Sequence, residues 1–209
     1  MSSYHIVAQG EHLSSIAEQY GFSDYRTIWN HPENADLKQR RPDPHVLFPG
    51  DRLYIPDLLR KKEAAETSRR TRFRLQAPRL MLRLAIKDFD EQPIINTPCN
   101  LQVEGATYPL NTNGNGQIEQ QIPATATGGR LAILDLEVPI QIGHLDPVEE
   151  VSGQQARLNN LGYDAGEVGA ANEEKLRSAL EEFQCDHNLT VDGTCNPQTQ
   201  AKLLEVHGC

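Results

Sequence analysis

The residues able to do chemistry are scattered along the chain rather than grouped. Seven histidines stand at His5, His12, His31, His45, His144, His187 and His207. A catalytic zinc site wants two histidines one helical turn apart beside a glutamate, as in HExxH, and no pair here has that pattern. The four cysteines, Cys99, Cys185, Cys195 and Cys209, fit no CxxC metal spacing. The last three are either free thiols of a reducing compartment or include a disulfide pair formed in an oxidising one. No GxSxG elbow and no phosphate-cradling glycine loop is present. Carboxylates abound, but a glycosidase pair is defined by separation in space, which order along a chain does not give. The expectation is a chain that is not an enzyme and holds neither metal nor cofactor.

Binding surfaces need elements to position them, and composition bounds those elements. The 209 residues are 38% hydrophobic and 23% charged, which suits two or three small domains and not wholesale disorder. No run of about 18 apolar residues occurs, so no membrane partner is expected. The opening MSSYHIVAQGEH lacks the basic head and apolar stretch of a secretory signal. The expected location is cytoplasmic, with delivery to a periplasm left to a secretion apparatus. A formal charge of −9 argues against a nucleic-acid partner. That charge is uneven. Residues 60–74 hold seven Lys/Arg against Glu63 and Glu66, and residues 58–79 read as a charged linker. Residues 131–209 hold fourteen acids against four bases, a local charge of −10.

Residues 1–57 form the first unit. Tyr4-His5-Ile6-Val7-Ala8 is rich in strand formers. Leu13, Ile16, Ala17 and Tyr20 mark one face of a short helix, and Gly21 follows where a left-handed cap belongs. A second short helix fits Tyr25 to Asn30. Leu47-Phe48-Pro49-Gly50-Asp51 is a turn, and Arg52 to Ile55 a closing strand. The order is strand, helix, helix, strand. The strand Tyr4-His5-Ile6-Val7, the run Gly10-Glu11-x-Leu13-x-x-Ile16-Ala17-x-x-Tyr20-Gly21 and the block Leu47-x-Pro49-Gly50-Asp51-x-Leu53-x-Ile55-Pro56 resemble the LysM family. The resemblance implies a glycan groove between the loop after the first strand and the loop before the last. Carried over, its residues are Gly10, Glu11, His12 and Leu13 from the first loop, with Asn34 and Asp36 from the second. Two departures stand out. His12 replaces the usual Thr or Ser, so the helix is expected to lose a hydroxyl cap. The second loop, running from His31 to His45, is longer than usual.

Residues 80–142 change character. Leu80, Leu82, Leu84 and Ile86 alternate with Met81, Arg83, Ala85 and Lys87, the pattern of a half-buried strand. Leu101 to Val103, Gln117 to Ile122 and Leu131 to Val138 are further strand candidates. The Asn-Gly pairs of Asn113-Gly114-Asn115-Gly116 signal a hairpin. A small antiparallel β-sandwich is expected. Its layout resembles the transthyretin-like and carboxypeptidase-regulatory-like modules, which space or dock other modules.

Residues 143–209 read as three helices. Val148, Val151, Leu158 and Leu161 mark the first, and Gly162 ends it. Asn172 to His187 is the second, with Leu176, Leu180 and Phe183 on one side. Asn196-Pro197 caps and starts a third, whose apolar residues are Ala201, Leu203, Leu204 and Val206. Gln155-x-Arg157-Leu158-x-x-Leu161-Gly162-Tyr163, Ala179-Leu180-x-x-Phe183-Gln184, Leu189-x-Val191-Asp192-Gly193, Thr199 and Leu203 resemble the bacterial peptidoglycan-binding three-helix module. The resemblance points to Tyr163, Gln184, Asp192 and Thr199 as candidate contacts with the wall polymer.

The fold class expected is multidomain α+β: a small βααβ LysM module, a small antiparallel β-sandwich and a three-helix bundle. The function expected is non-catalytic peptidoglycan binding. The long-insert first module, the sandwich and Leu145-Asp146-Pro147-Val148-Glu149-Glu150-Val151-Ser152-Gly153 also resemble proteins associated with bacterial type VI secretion spikes. That resemblance implies a secretion spike protein and a toxin effector as further partners. Two alternatives stand beside it: an adaptor that loads the effector with degenerate sugar sites, and a wall hydrolase with an unrecognised active site.

Overall fold

A computed structural model describes residues 3–58, 70, 79–88, 90 and 92–209. Apart from residues 58, 70 and 79, the charged linker lies outside the described residues. Among them are eight strands and six α-helices. The chain is mixed α+β with small antiparallel sheets.

In the first module β1 (Ser3–Ile6) pairs antiparallel with β2 (Arg52–Ile55), setting Tyr4 opposite Tyr54. Between them lie α1 (Leu13–Gln19), α2 (Arg26–Trp29), a 3-10 turn (Pro32–Asn34) and α3 (Ala35–Arg40). Leu13, Ile16, Ala17, Ile28, Trp29, Leu37 and Leu53 close one core. The start of α1 answers the missing cap at position 12. The His12 side chain makes no capping bond. Ser15 Oγ instead accepts from the His12 N–H at 3.1 Å and donates to the His12 carbonyl at 2.7 Å.

The stretch expected as a long second loop is largely built. Pro32 starts its 3-10 turn, a position that suits proline's fixed φ. Asn34 Nδ2 then donates to the Ile28 and Tyr54 carbonyls at 2.8 and 2.9 Å, and its Oδ1 accepts from the Tyr54 N–H at 2.8 Å. One buried amide thus pins the insert to β2, and Leu37 of α3 fills the core.

The middle residues form a sandwich. β3 (Arg79–Ala85) pairs with β6 (Gln117–Pro123), and this ribbon covers a four-stranded sheet ordered β5 (Ala106–Asn111), β4 (Pro98–Val103), β7 (Gly128–Ile133), β8 (Leu136–Gln141). Leu80, Leu82 and Leu84 point into the shared core with Leu101, Val103, Ile118, Leu131 and Ile133. Three expectations need correction. Asn113 to Gly116 does not close a hairpin, because β5 and β6 lie in different sheets. It is a crossing, in which Asn113 Oδ1 accepts from the Asn115 and Gln117 N–H groups and Gly116 (φ +71°) leaves a gap that a Cβ would close against the Ile86 carbonyl at 2.7 Å. Leu131 to Val138 is not one strand. The chain reverses at Leu134, whose φ is +52°, and returns as β8. β5 was not expected at all; Glu104 and Gly105, both at positive φ, make the tight turn that folds it back on β4.

The last residues form α4 (Val151–Asn160), α5 (Glu173–Asp186) and α6 (Pro197–His207). Asn172 Oδ1 caps α5 through the Lys175 N–H, and Asn196 Oδ1 caps α6 through the Gln198 and Thr199 N–H groups. Gly208, at φ +94°, takes the left-handed stop. Val148, Leu158, Ala179, Leu180, Phe183 and Leu203 make the core. Val151 and Ala201, expected on apolar faces, are exposed. Val148 packs from the turn ahead of α4 instead. All four cysteines are free thiols. Among the described residues no helix is long and apolar enough to cross a membrane.

The first module meets the junction between sandwich and helices. Gly10 and Gly143 lie backbone to backbone: a Cβ on Gly143 would run into the Gly10 carbonyl oxygen, and one on Gly10 would sit 2.9 Å from His144 Cε1. Gly10 and Gly143 also hold positive φ, +85° and +81°, which favours glycine over any L side chain.

Candidate functional site

The structure separates the six residues expected to line the first module's groove. Leu13 is fully buried in the core, so it positions the loop and touches no ligand. Asn34 is equally sealed, its amide spent on the bonds to Ile28 and Tyr54. Asp36 is exposed on the first turn of α3. No hydrogen bond or ring contact among the described residues joins Asn34 or Asp36 to the first loop. Glu11 is tied in: its Oε2 accepts from the Ala8 N–H at 2.8 Å and lies 2.7 Å from His5 Nε2, whose Nδ1 lies 3.2 Å from the Tyr20 hydroxyl.

His12 is the least ordinary of the set. Only 3% of it is exposed. Its ring lies edge-on to His45, 5.8 Å between centroids, and His45 in turn packs on Tyr25 at 5.0 Å. The Nδ1 atoms of both histidines are buried without a hydrogen-bond partner. Burial, then the neighbouring His45, lowers the His12 pKa to about 4. Burial lowers that of His45 as well, against the opposing pull of Asp43. Both imidazoles are therefore neutral at physiological pH.

Beside this loop runs a cleft of about 500 Å³. One wall comes from the first module, with Glu11, His12, Ser15 and Gln19. The other comes from the turn between β6 and β7, Thr125 to Thr127, and from His144. Nothing in the sequence marked Gln19, Thr125, Thr127 or His144, because their meeting depends on how two modules dock.

In the helical module, three of the four expected contacts belong to one network. Gln184 is fully buried. Its Nε2 donates to Asp192 Oδ1 (2.8 Å), the Thr194 carbonyl (2.9 Å) and Thr199 Oγ1 (3.1 Å), while its Oε1 accepts from the Asp192 and Gly193 N–H groups. One side chain thus ties the turn at 192–194 to α5 and α6. The Thr194 N–H, then Gln184, hold the Asp192 carboxyl down at about 2. Tyr163 sits apart, packed edge-on to Phe183 with its hydroxyl donating to Asp186 at 3.0 Å. Gln184, Thr199 and Tyr163 are buried, so they frame the module; Asp192 is exposed.

Two further buried polar residues complete that frame. Gln155 accepts from the Gly169 N–H and donates to the Ala165 and Ala170 carbonyls. Arg157, 1% exposed, donates to the carbonyls of Asp146, Gly153 and Cys209. A fork of guanidinium N–H groups suits three divergent carbonyls where an ammonium would not. Residues 148–203 match the family model described as "Putative peptidoglycan binding domain". The match spans α4, α5 and most of α6, together with the Gln155 and Gln184 networks and Arg157 itself. It supports a peptidoglycan-binding module here, and with it a cell-wall binding role and peptidoglycan as a partner. No curated protein and no solved structure matches the chain.

Proposed function

We propose that this chain is a non-catalytic peptidoglycan-binding accessory protein. In this reading it associates with a type VI secretion spike and its effector, and a LysM-type first module grips the same polymer as the helical module. The observation that carries it is the family match over residues 148–203. The first module adds its two paired strands with the helices between them, and its run from Gly10 to Gly21. Two weak sites on one chain strengthen attachment by roughly 10²–10⁴ when geometry lets both engage. The spike association rests on the resemblance of the three-module layout.

A second reading has its own observation. The first loop of the LysM-type module is packed against Gly143 and His144, which favours a module used for docking. The sandwich also leaves Leu134, Leu136 and Val138 exposed, a patch of the kind partners cover. In this reading the chain is an adaptor between effector and spike. Co-sedimentation with insoluble sacculi separates the two. The wall-binding reading expects the purified chain to pellet and soluble peptidoglycan fragments to release it. A chain that stays in the supernatant, yet co-purifies with a co-expressed spike or effector, is an adaptor.

A further inference from the structure

The cleft between the first module and the sandwich has the chemistry of a ligand site. Its volume, about 500 Å³, lies within the range of roughly 300–1,000 Å³ usual for such sites. Its walls come from three stretches of chain: residues 9–19, the turn 125–127 and His144. The backbone contact of Gly10 with Gly143 fixes the two sides against each other.

The lining is selective. No Lys or Arg contributes to it, and Glu11 is the one carboxylate. Phosphate-rich or acidic polymers therefore find no counter-charge. The Ser15 hydroxyl is spent on the His12 backbone, and apart from His12 the remaining polar side chains are amides, hydroxyls and an imidazole: Gln9, Gln19, Thr125, Thr127 and His144. Gln9 reaches Asp146 at 3.5 Å. Nothing in the described structure engages the side chains of the other four in hydrogen bonds. His12 lines the same cleft, 3% exposed and with its Nδ1 unpartnered. That nitrogen is sealed from solvent, so His12 shapes the wall of the cleft and leaves the contacts to its neighbours. Side-chain amides and hydroxyls pair with acetamido and hydroxyl groups, which is the make-up of an amino-sugar strand and of the polymer bound by the helical module's family.

We propose that this cleft is a second glycan subsite, built jointly by the first module and the sandwich, with Gln19, Thr125, Thr127 and His144 as contacts to a neutral amino-sugar strand. The proposal rests on the peptidoglycan-binding reading and extends it to Thr125 and Thr127, outside both recognised modules. Its consequence is that the sandwich is part of the binding surface and not only a spacer.

The test is an NMR titration of the full, isotope-labelled chain with glycan strands prepared from peptidoglycan, their peptides removed and the lactyl carboxylates this frees converted to amides so that the strand is neutral. The proposal expects shifts in the Gln19 side-chain amide and in the Thr125 and Thr127 backbone amides. It also expects the Thr125→Val/Thr127→Val variant to weaken the dissociation constant read at those signals by about tenfold, two hydrogen bonds being lost. Both positions are exposed, so an unchanged spectrum elsewhere certifies the fold. Shifts confined to the helical module would overturn the composite cleft and leave the peptidoglycan reading standing. An unaltered affinity in the double variant would overturn it too. Strands that shift no residue anywhere would bring down the peptidoglycan reading with it.

Discussion

His12 stands at the N-cap of α1 with an imidazole that burial keeps neutral. Its pKa falls from 6.5 to about 4, so between those values the unfolded chain binds a proton that the folded chain refuses. Stability contributed this way is present above pH 6.5 and lost as pH falls toward 4. At pH 4.5 the cost approaches about 2–3 kcal/mol, because each tenfold difference in proton affinity between the two states is worth about 1.4 kcal/mol. Trp29, the one tryptophan, lies in the same core and reports the unfolding of this module. Urea titrations followed by its fluorescence should show the wild type losing more stability between pH 7 and 4.5 than His12→Asn does. Equal losses would mean that the ring is hydrated and titrates normally. Leu13 carries a different lesson at this scale. A charge placed there tests folding and says nothing of binding, because the side chain is wholly inside.

Among the elements, the turn at residues 192–194 depends on a residue eight positions away. Gln184→Leu removes the acceptor for two N–H groups and the donor to Asp192 and Thr199. Buried groups left unsatisfied cost about 1–3 kcal/mol each, and a loss of roughly 2–4 kcal/mol is expected in thermal or denaturant unfolding. The Asp192 carboxyl, now held near 2, should titrate closer to the ordinary carboxylate range in the variant. A carbon-detected NMR titration checks this, and an unmoved Asp192 would show that Thr194 alone sets it. Elements of this kind were legible in the sequence wherever period and caps agreed, as with Asn196-Pro197 before α6. They were hidden wherever a turn depended on positive φ at a residue other than glycine. Leu134 inside an apolar run reads as strand, yet it is where β7 ends. Asn113 to Gly116 has hairpin chemistry, but the flanking strands pair elsewhere. Candidate contacts were read from motif positions, and a motif does not distinguish a residue that frames a site from one that faces it. Gln184 and Thr199 proved to be frame. Gln19, Thr125 and His144 carried no signal, since three distant stretches supply one cleft.

For the whole molecule, the decisive contact is the meeting of Gly10 and Gly143. A side chain at Gly143 would run into the Gly10 backbone, and one at Gly10 would press on the His144 ring. Gly143→Val should part the first module from the junction while leaving each module folded. Hydrogen exchange of the amides from Gly10 to Leu13 would then quicken by about tenfold or more, since about 1.4 kcal/mol of lost contact is a factor of ten. Exchange that stays slow would show that other contacts hold the modules. A different feature governs what the sandwich can join. The hairpins β4–β5 and β7–β8 both turn in two residues, so hydrogen-bonded pairs alternate with open ones from Val103–Ala106 and Ile133–Leu136 outward. The bonds from Thr112 to Thr97 and from Ile142 to Thr127 keep that count. Pro109 and Pro139 both fall on open pairs, opposite Asn100 and Arg130. Each therefore stands where a free N–H would have looked outward from the sheet's two outer strands. The four-stranded sheet thus has both edges blunted at mid-strand, so that another chain's backbone laid against either would forfeit a bond there. In the proposed secretion role, a protein ferried beside toxins could tolerate an apolar patch at Leu136 and Val138 without seeding its own fibres.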